Sequence, residues 1–344
     1  MIKFDNNYFR KVAEEIFKCD SPTGFTDNVI ELVKKYVDSY GYASKILNTG
    51  ALEVSIKGLD SSKVVATSAH TDTLGLMVRS VKPNGKLALT LLGGPSTPTL
   101  DGEYCTIYTR DGRKYTGTIL STSPAVHVFS DANTKSRNID ELEVRLDEVV
   151  SSKAEVEALG IQNGDIVAYD TKFTITDSGF LKTRFVDDKA SVVILLMLLK
   201  YTSDNNIKFK HDTKIYFVTY EEVGHGAAIV DRSVSEFVTI DMGCIGLDLA
   251  GSEYAVSICA KDSGGPYDYE LTTRLIQMAK ENGIDYTVDI FPFYGSDVGA
   301  ARRAGVDIKG ALIGSGVSAS HGMERTHIKG IENTLKLIYT YLIK

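Results

Sequence analysis

The chain has no run approaching the ~18 uninterrupted apolar residues that a membrane-crossing helix needs, which excludes a protein built on spanning helices. Its opening residues, MIKFDNNYFRKVAEEIF, lack a basic stretch leading into an apolar one, so export by a signal peptide is not expected. Cysteine is scarce. Cys19, Cys105, Cys244 and Cys259 lie far apart without a CxxC pair, which argues against a disulfide framework or a cysteine zinc site and fits free thiols in a reducing cytoplasm. Positive charge is not in excess: 38 Lys and Arg against 45 Asp and Glu leave a net charge of −7, which speaks against nucleic acid as a partner. Internal repeats and low-complexity segments are also missing. What remains is an ordinary globular composition, 43% apolar and 24% charged over 344 residues, enough for two domains or one large one.

The pattern along the chain predicts two textures. Apolar residues at helical spacing run over 6–18 and stop at CDSPTG, and a second helix, NVIELVKKYVDSYG, starts behind Thr26 or Asp27 and ends at a glycine. ALEVSIKG and KVVATSAH read as strands, the second apolar enough to be covered on both faces. After residue 179 strands and helices alternate: the buried helix ASVVILLMLLKYT, the strands TKIYFVTY and EFVTI, the amphipathic helix YDYELTTRLIQMAKENG, the strand VDIKGALIG and the closing helix GIENTLKLIYTYLIK. This is the signature of an α/β fold with a mostly parallel sheet flanked by helices. Between them, 75–179 shows alternation and Asp-Gly and Asn-Gly turns with one short helix, KAEVEALG. The expectation is a domain made of 1–74 and 180–344, interrupted by an inserted β-rich domain over 75–179.

Metal-type ligands recur where predicted buried strands end or helices begin. His70-Thr71-Asp72 follows KVVATSA, Asp187-Asp188 precedes a helix, Glu221-Glu222 follows KIYFVTY, Asp241 follows FVTI, and His321 follows GALIG. In open α/β sheets ligands gather beyond the carboxyl ends of the strands, so these segments are expected to share one crevice. Two divalent ions there would need a bridging carboxylate, a His and a carboxylate for each ion, and a free carboxylate as proton shuttle. Two His and several carboxylates without sulfur suit Zn²⁺, Co²⁺ or Mn²⁺ over Ca²⁺. Taken singly the features have plainer readings: a core histidine for His70, helix caps for Asp187 and Asp188, a turn for Asp241. Capping is the reading kept for Asp188. His321 and His327 are both open as the last ligand. Ser296-Asp297 either lines the substrate site or caps a helix, His225 orders a glycine turn, and Lys261 or Arg302 are candidate cations for an acidic substrate side chain.

The ordered set His70-x-Asp72, Asp187-Asp188, Glu221-Glu222, Asp241 and His321 resembles the co-catalytic metallopeptidases of clan MH. With SPTGF, SAHTDTLG, SPAVHV, GIQNGD, VDDKAS, YEEVGHGA and YGSDVGA, the chain is similar to the glutamyl/deblocking aminopeptidase family whose members form tetrahedral (TET) particles. The resemblance implies that His70 and Asp241 bind one ion, Glu222 and His321 the other, and Asp187 both. It makes Glu221 the general base acting on a metal-bridged water, and Asp72 the carboxylate that holds the second nitrogen of His70. It also implies a metallo-aminopeptidase acting on short peptides, and an inserted domain that pairs subunits into a hollow dodecamer. One departure is that SASHGMERTH lacks the Arg-Tyr pair that often precedes the ligand His in that family. A carboxypeptidase, an N-acyl deacylase and a non-catalytic assembly module are the competing functions. Glycoside hydrolysis, which uses two carboxylates without paired metals, fits the His ligands poorly.

Overall fold

The computed structural model describes residues 1–344. The chain divides into two compact units, Met1–Asp72 with Lys172–Lys344, and Thr73–Thr171. Residues 172–179, which sequence texture put with the insertion, belong to the first unit. Thr174–Ile175 pairs there with Phe180–Thr183, which pairs in turn with Glu324–His327.

A nine-stranded sheet organises the first unit. Its central strands, His211–Val218, Asp60–His70, Val234–Cys244 and Lys309–Val317, lie side by side in that order and all parallel. Antiparallel strands extend it on both sides, Leu52–Ile56 then Ser44–Ile46 on one and Val256–Asp262 on the other. A parallel centre has to be covered on both faces, and alternate residues of each central strand accordingly enter different cores. Val65, Ile215, Phe217, Val238 and Ile313 face one apolar cluster. Ala66, Tyr216, Val218, Phe237 and Leu312 face the other.

The helices supply those covers. Asn6–Phe17 buries Phe9, Val12, Ala13, Ile16 and Phe17, an i, i+3, i+4 stripe, and starts where Asp5 accepts the Tyr8 N–H at 3.0 Å. Val186–Asp204 is buried on nearly every side, between the sheet and three other helices, Asn6–Phe17, Asp27–Ser39 and Ile328–Ile343. No helix is long and apolar enough to cross a membrane. One glycine is forced by close approach: Gly314 pairs with Asp241, and a Cβ there would overlap the Asp241 carbonyl.

The second unit is a closed barrel of six antiparallel strands, in the order Gly75–Val81, Leu87–Leu92, Leu142–Leu146, Lys114–Ser121, Tyr104–Tyr108 and Ile166–Tyr169. Closure leaves no sheet edge exposed. Leu76, Val78, Leu89, Ile107, Ile119, Val144 and Val167 are buried in it. The expected short helix is Lys153–Ala158, started by a capping box of Ser152 and Glu155.

At the amino end of the Val234–Cys244 strand, the Glu236 carboxylate accepts from Lys63 Nζ at 2.9 Å, Arg274 at 2.6 Å and the Tyr341 hydroxyl at 3.0 Å. Burial opposes its charge, but Arg274 and Lys63 outweigh that and hold its pKa at about 2. A carboxylate depressed by folding stabilises the protein above its ordinary pKa and loses that contribution as pH falls through the folded value. Glu236→Gln should therefore lower stability to urea at pH 7, with the gap to wild type closing as pH drops from about 4.5 toward 2. A gap that stays constant over that range contradicts the assignment.

Candidate metal centre

The parallel strands bring their carboxyl ends to one edge, and the acidic motifs follow from there. His70 is the last residue of its strand. Its backbone N–H donates to Asp188 Oδ2 at 3.0 Å, and its Nδ1 donates to the Asp72 carbonyl oxygen at 2.9 Å. A carbonyl only accepts, so Nδ1 carries the proton and Nε2 is the nitrogen offered to the crevice. Asp187 Oδ1 lies 3.0 Å from that Nε2, and Asp187 Oδ2 lies 3.5 Å from His321 Nε2. One carboxylate thus turns an oxygen to each of two imidazoles. Glu222 Oε2 is 3.7 Å from His321 Nε2, and Glu221 Oε2 is 3.9 Å from His70 Nε2.

Two groups of residues each bring their ligand atoms within 4.8 Å of one another: His70, Glu221 and Asp241, and His70, Asp187 and Glu222. The structure therefore gathers His70, Asp187, Glu221, Glu222, Asp241 and His321. It does not bring His327 there. That ring donates to the Ser178 carbonyl at 2.8 Å and accepts the Lys329 N–H at 3.0 Å.

The donor set fits a divalent cation. Glu222 Oε1 is buried without a hydrogen-bond partner, an orphan that costs free energy unless a cation meets it. Burial, together with neighbouring carboxylates, pushes Glu221 and Glu222 well above the usual carboxylate range, and Asp241 up to about 7. Asp187 is the exception. Burial acts against its charge too, but His321 and His70 hold it below its ordinary value. Against its own burial, His70 is raised well above an ordinary imidazole, first by Asp187. Nitrogen and oxygen donors without sulfur suit Zn²⁺, Co²⁺ or Mn²⁺.

A ring of buried acids behind these groups holds backbone amides. Asp72 was expected to grip His70 through its carboxylate, but its Oδ1 is 3.6 Å from Nδ1 and the main-chain carbonyl makes that bond. The Asp72 carboxylate instead accepts the N–H groups of Glu221 at 3.1 Å and Glu222 at 3.3 Å, and the Thr23 hydroxyl at 2.8 Å. SPTGF thereby buttresses the crevice, with Ser21 Oγ on the Thr71 carbonyl at 2.8 Å. Asp188, expected to cap a helix, hydrogen-bonds the His70 amide. Glu324 was not assigned a role from sequence: its two oxygens accept the N–H groups of His321 at 2.8 Å and Asp187 at 3.0 Å. Its spacing three residues after His321 was the available signal. Asp297 accepts the Ala227 N–H at 2.9 Å and Ser68 Oγ at 3.2 Å, and does not line the crevice. Ser296 does line it, its Oγ bonded to the Tyr267 hydroxyl at 2.7 Å.

Three non-glycine residues adopt left-handed backbone at this site: Phe185 (φ 66°), Tyr220 (φ 67°) and His321 (φ 63°). Such conformations persist where surrounding bonds over-determine them, and here the Asp72 and Glu324 bridges do so. The crevice encloses about 250 Å³ and is also lined by Phe293, Tyr294 and Arg303. Arg303, with Nη2 on the Gly224 carbonyl at 2.9 Å, is the cation at the crevice. Lys261 and Arg302 instead bond the carbonyls of Asp262 and Ile308.

Three comparisons agree with this geometry. The YhfE protein of Bacillus subtilis strain 168 is 41% identical over 333 residues, covering 96% of each chain. The lysyl aminopeptidase of Pyrococcus furiosus is 27% identical over 222 residues, 64% of this chain and 60% of that one. The fold matches that of the TET1 peptidase of Pyrococcus horikoshii with a TM-score of 0.86 at 21% identity, over 98% of this chain and 99% of the other. The model of the M42 glutamyl aminopeptidases matches residues 50–337, and the chain belongs to that family.

Proposed function

We propose that this aminopeptidase removes N-terminal residues from short peptides, with a pair of divalent cations held by His70, Asp187, Glu222, Asp241 and His321 and with Glu221 as general base. The observation that carries this reading is Asp187, whose two oxygens face His70 and His321 separately. His70 and Asp241 would hold one ion, Glu222 and His321 the other, and Asp187 both. Zn²⁺ fits these donors, as do Co²⁺ and Mn²⁺. Cations bound there would supply Lewis acidity, polarising the scissile carbonyl and making a water acidic enough to attack near neutral pH.

The protein's own groups do the proton work. Glu221 takes a proton from the attacking water and returns it to the departing amine. Asp72, bonded to the Glu221 N–H, fixes where that carboxylate stands. None of the four cysteines forms a disulfide, which accords with action in a reducing cytoplasm.

We further infer that the barrel unit carries the dimer contact from which a dodecamer is built. Tyr104, Val126 and Val128 expose 60% or more of their surface on that unit, apolar area that a subunit contact would cover. Val128→Asp should lower the particle mass measured by light scattering. An unchanged mass contradicts the assignment.

Glu221→Gln should keep its metal content, read by atomic emission, while turnover of aminoacyl-naphthylamides falls by about 10²–10⁴ or more. Chelation should abolish wild-type turnover and Zn²⁺, Co²⁺ or Mn²⁺ should restore it, with N-acetylated substrates left intact. Activity retained in Glu221→Gln removes the general base from the account. Cleavage confined to N-blocked substrates would make the enzyme a deacylase.

A further inference from the structure

Next to the metal crevice, and sharing Phe293 with it, lies a trough of about 910 Å³. Cys244, at its near end, stands three residues beyond Asp241 on the same strand. The walls are apolar and face solvent: Leu247, Ile290 and Phe293 expose 105%, 55% and 97% of their surface, joined by Val288 and Leu249. Two carboxylates line the trough: Asp248, which is exposed, and Asp289, only 7% exposed. Asp289 Oδ1 accepts the Ala250 N–H at 2.7 Å, while Oδ2 is buried with no partner.

A buried carboxylate oxygen left without a donor costs free energy that a ligand cation removes. We propose that this trough receives the side chain of the substrate's N-terminal residue and that Asp289 selects lysine there. The assignment rests on the aminopeptidase reading above. Lysine has the required shape: four methylenes pack along the apolar wall and the ammonium ends on Asp289 Oδ2. Arginine fits less well, because its fork binds best across both oxygens of a carboxylate and Oδ1 is already engaged. Leucine or methionine would fill the walls and leave Oδ2 unpaired. A glutamate side chain would place like charge against it.

The test measures binding apart from turnover. Full-length, Zn²⁺-loaded Glu221→Gln is titrated calorimetrically with Lys-Ala, Arg-Ala, Leu-Ala and Glu-Ala, and wild type is assayed on the matching aminoacyl-naphthylamides. Lys-Ala should bind about ten- to a hundredfold more tightly than Leu-Ala, with Arg-Ala between them and Glu-Ala weakest. Adding Asp289→Asn should collapse the lysine-to-leucine ratio toward one. Should that variant fail to fold, Leu247→Lys, on the exposed wall, should suppress the lysine preference by like charge. Lysine-selective binding without hydrolysis of any substrate would refute the aminopeptidase reading and leave the trough's assignment standing. Hydrolysis with equal Lys and Leu preference, or a preference that survives Asp289→Asn, overturns the trough's assignment alone. A Leu247→Lys change in particle mass with the lysine preference intact would assign the trough to a second copy of the chain, and also overturns it.

Discussion

The structure depends on concentrating buried negative charge at one edge of a parallel sheet. Asp187, Glu222 and Asp241 are nearly or wholly withdrawn from solvent within reach of two imidazoles. Carboxylates in such a place repel one another and lose hydration, and protein groups alone answer only part of that cost. The raised pKa values of Glu221, Glu222 and Asp241 express the remainder. Divalent cations would remove it, and the same cations would serve the proposed hydrolysis. Cage and chemistry therefore have one physical origin.

A cage of this kind works only if its members cannot drift apart, and the outer acids provide the restraint. Asp72 joins the end of one strand to the turn after another by accepting the Glu221 and Glu222 amides. Glu324 joins the His321 loop to the start of the central helix at Asp187. Asp188 holds the His70 amide, and Asp297 ties the turn at Ala227 to Ser68. Each link is a hydrogen bond that ties segments far apart in sequence, and buried bonds of that kind are expensive to break.

Much of this was legible in the sequence, because strand ends are marked by buried runs and the acidic motifs stand directly after them. KVVATSAH, TKIYFVTY and EFVTI fall on central parallel strands, and the Asp-Gly and Asn-Gly turns fall in the barrel unit. The edge strands were harder to read. Tyr286–Ile290 exposes Val288 and Ile290 while burying Asp289, so its polar and apolar faces are reversed from a core strand. The boundary near residue 172 was misplaced because Thr174–Ile175 has the alternation of the barrel yet pairs with Phe180–Thr183. The roles of Asp72 and Glu324 were hidden for a different reason. Both act on backbone N–H groups of remote residues, and no local pattern reports which amides a folded chain leaves unpaired.

The central claim is that Asp187 stands between two cations. Anomalous diffraction from crystals of the Zn²⁺-loaded protein tests it most directly. The account predicts two peaks per chain, one beside His70 and Asp241, the other beside Glu222 and His321, with Asp187 touching both. A single peak, or two peaks of which neither contacts Asp187, would contradict it.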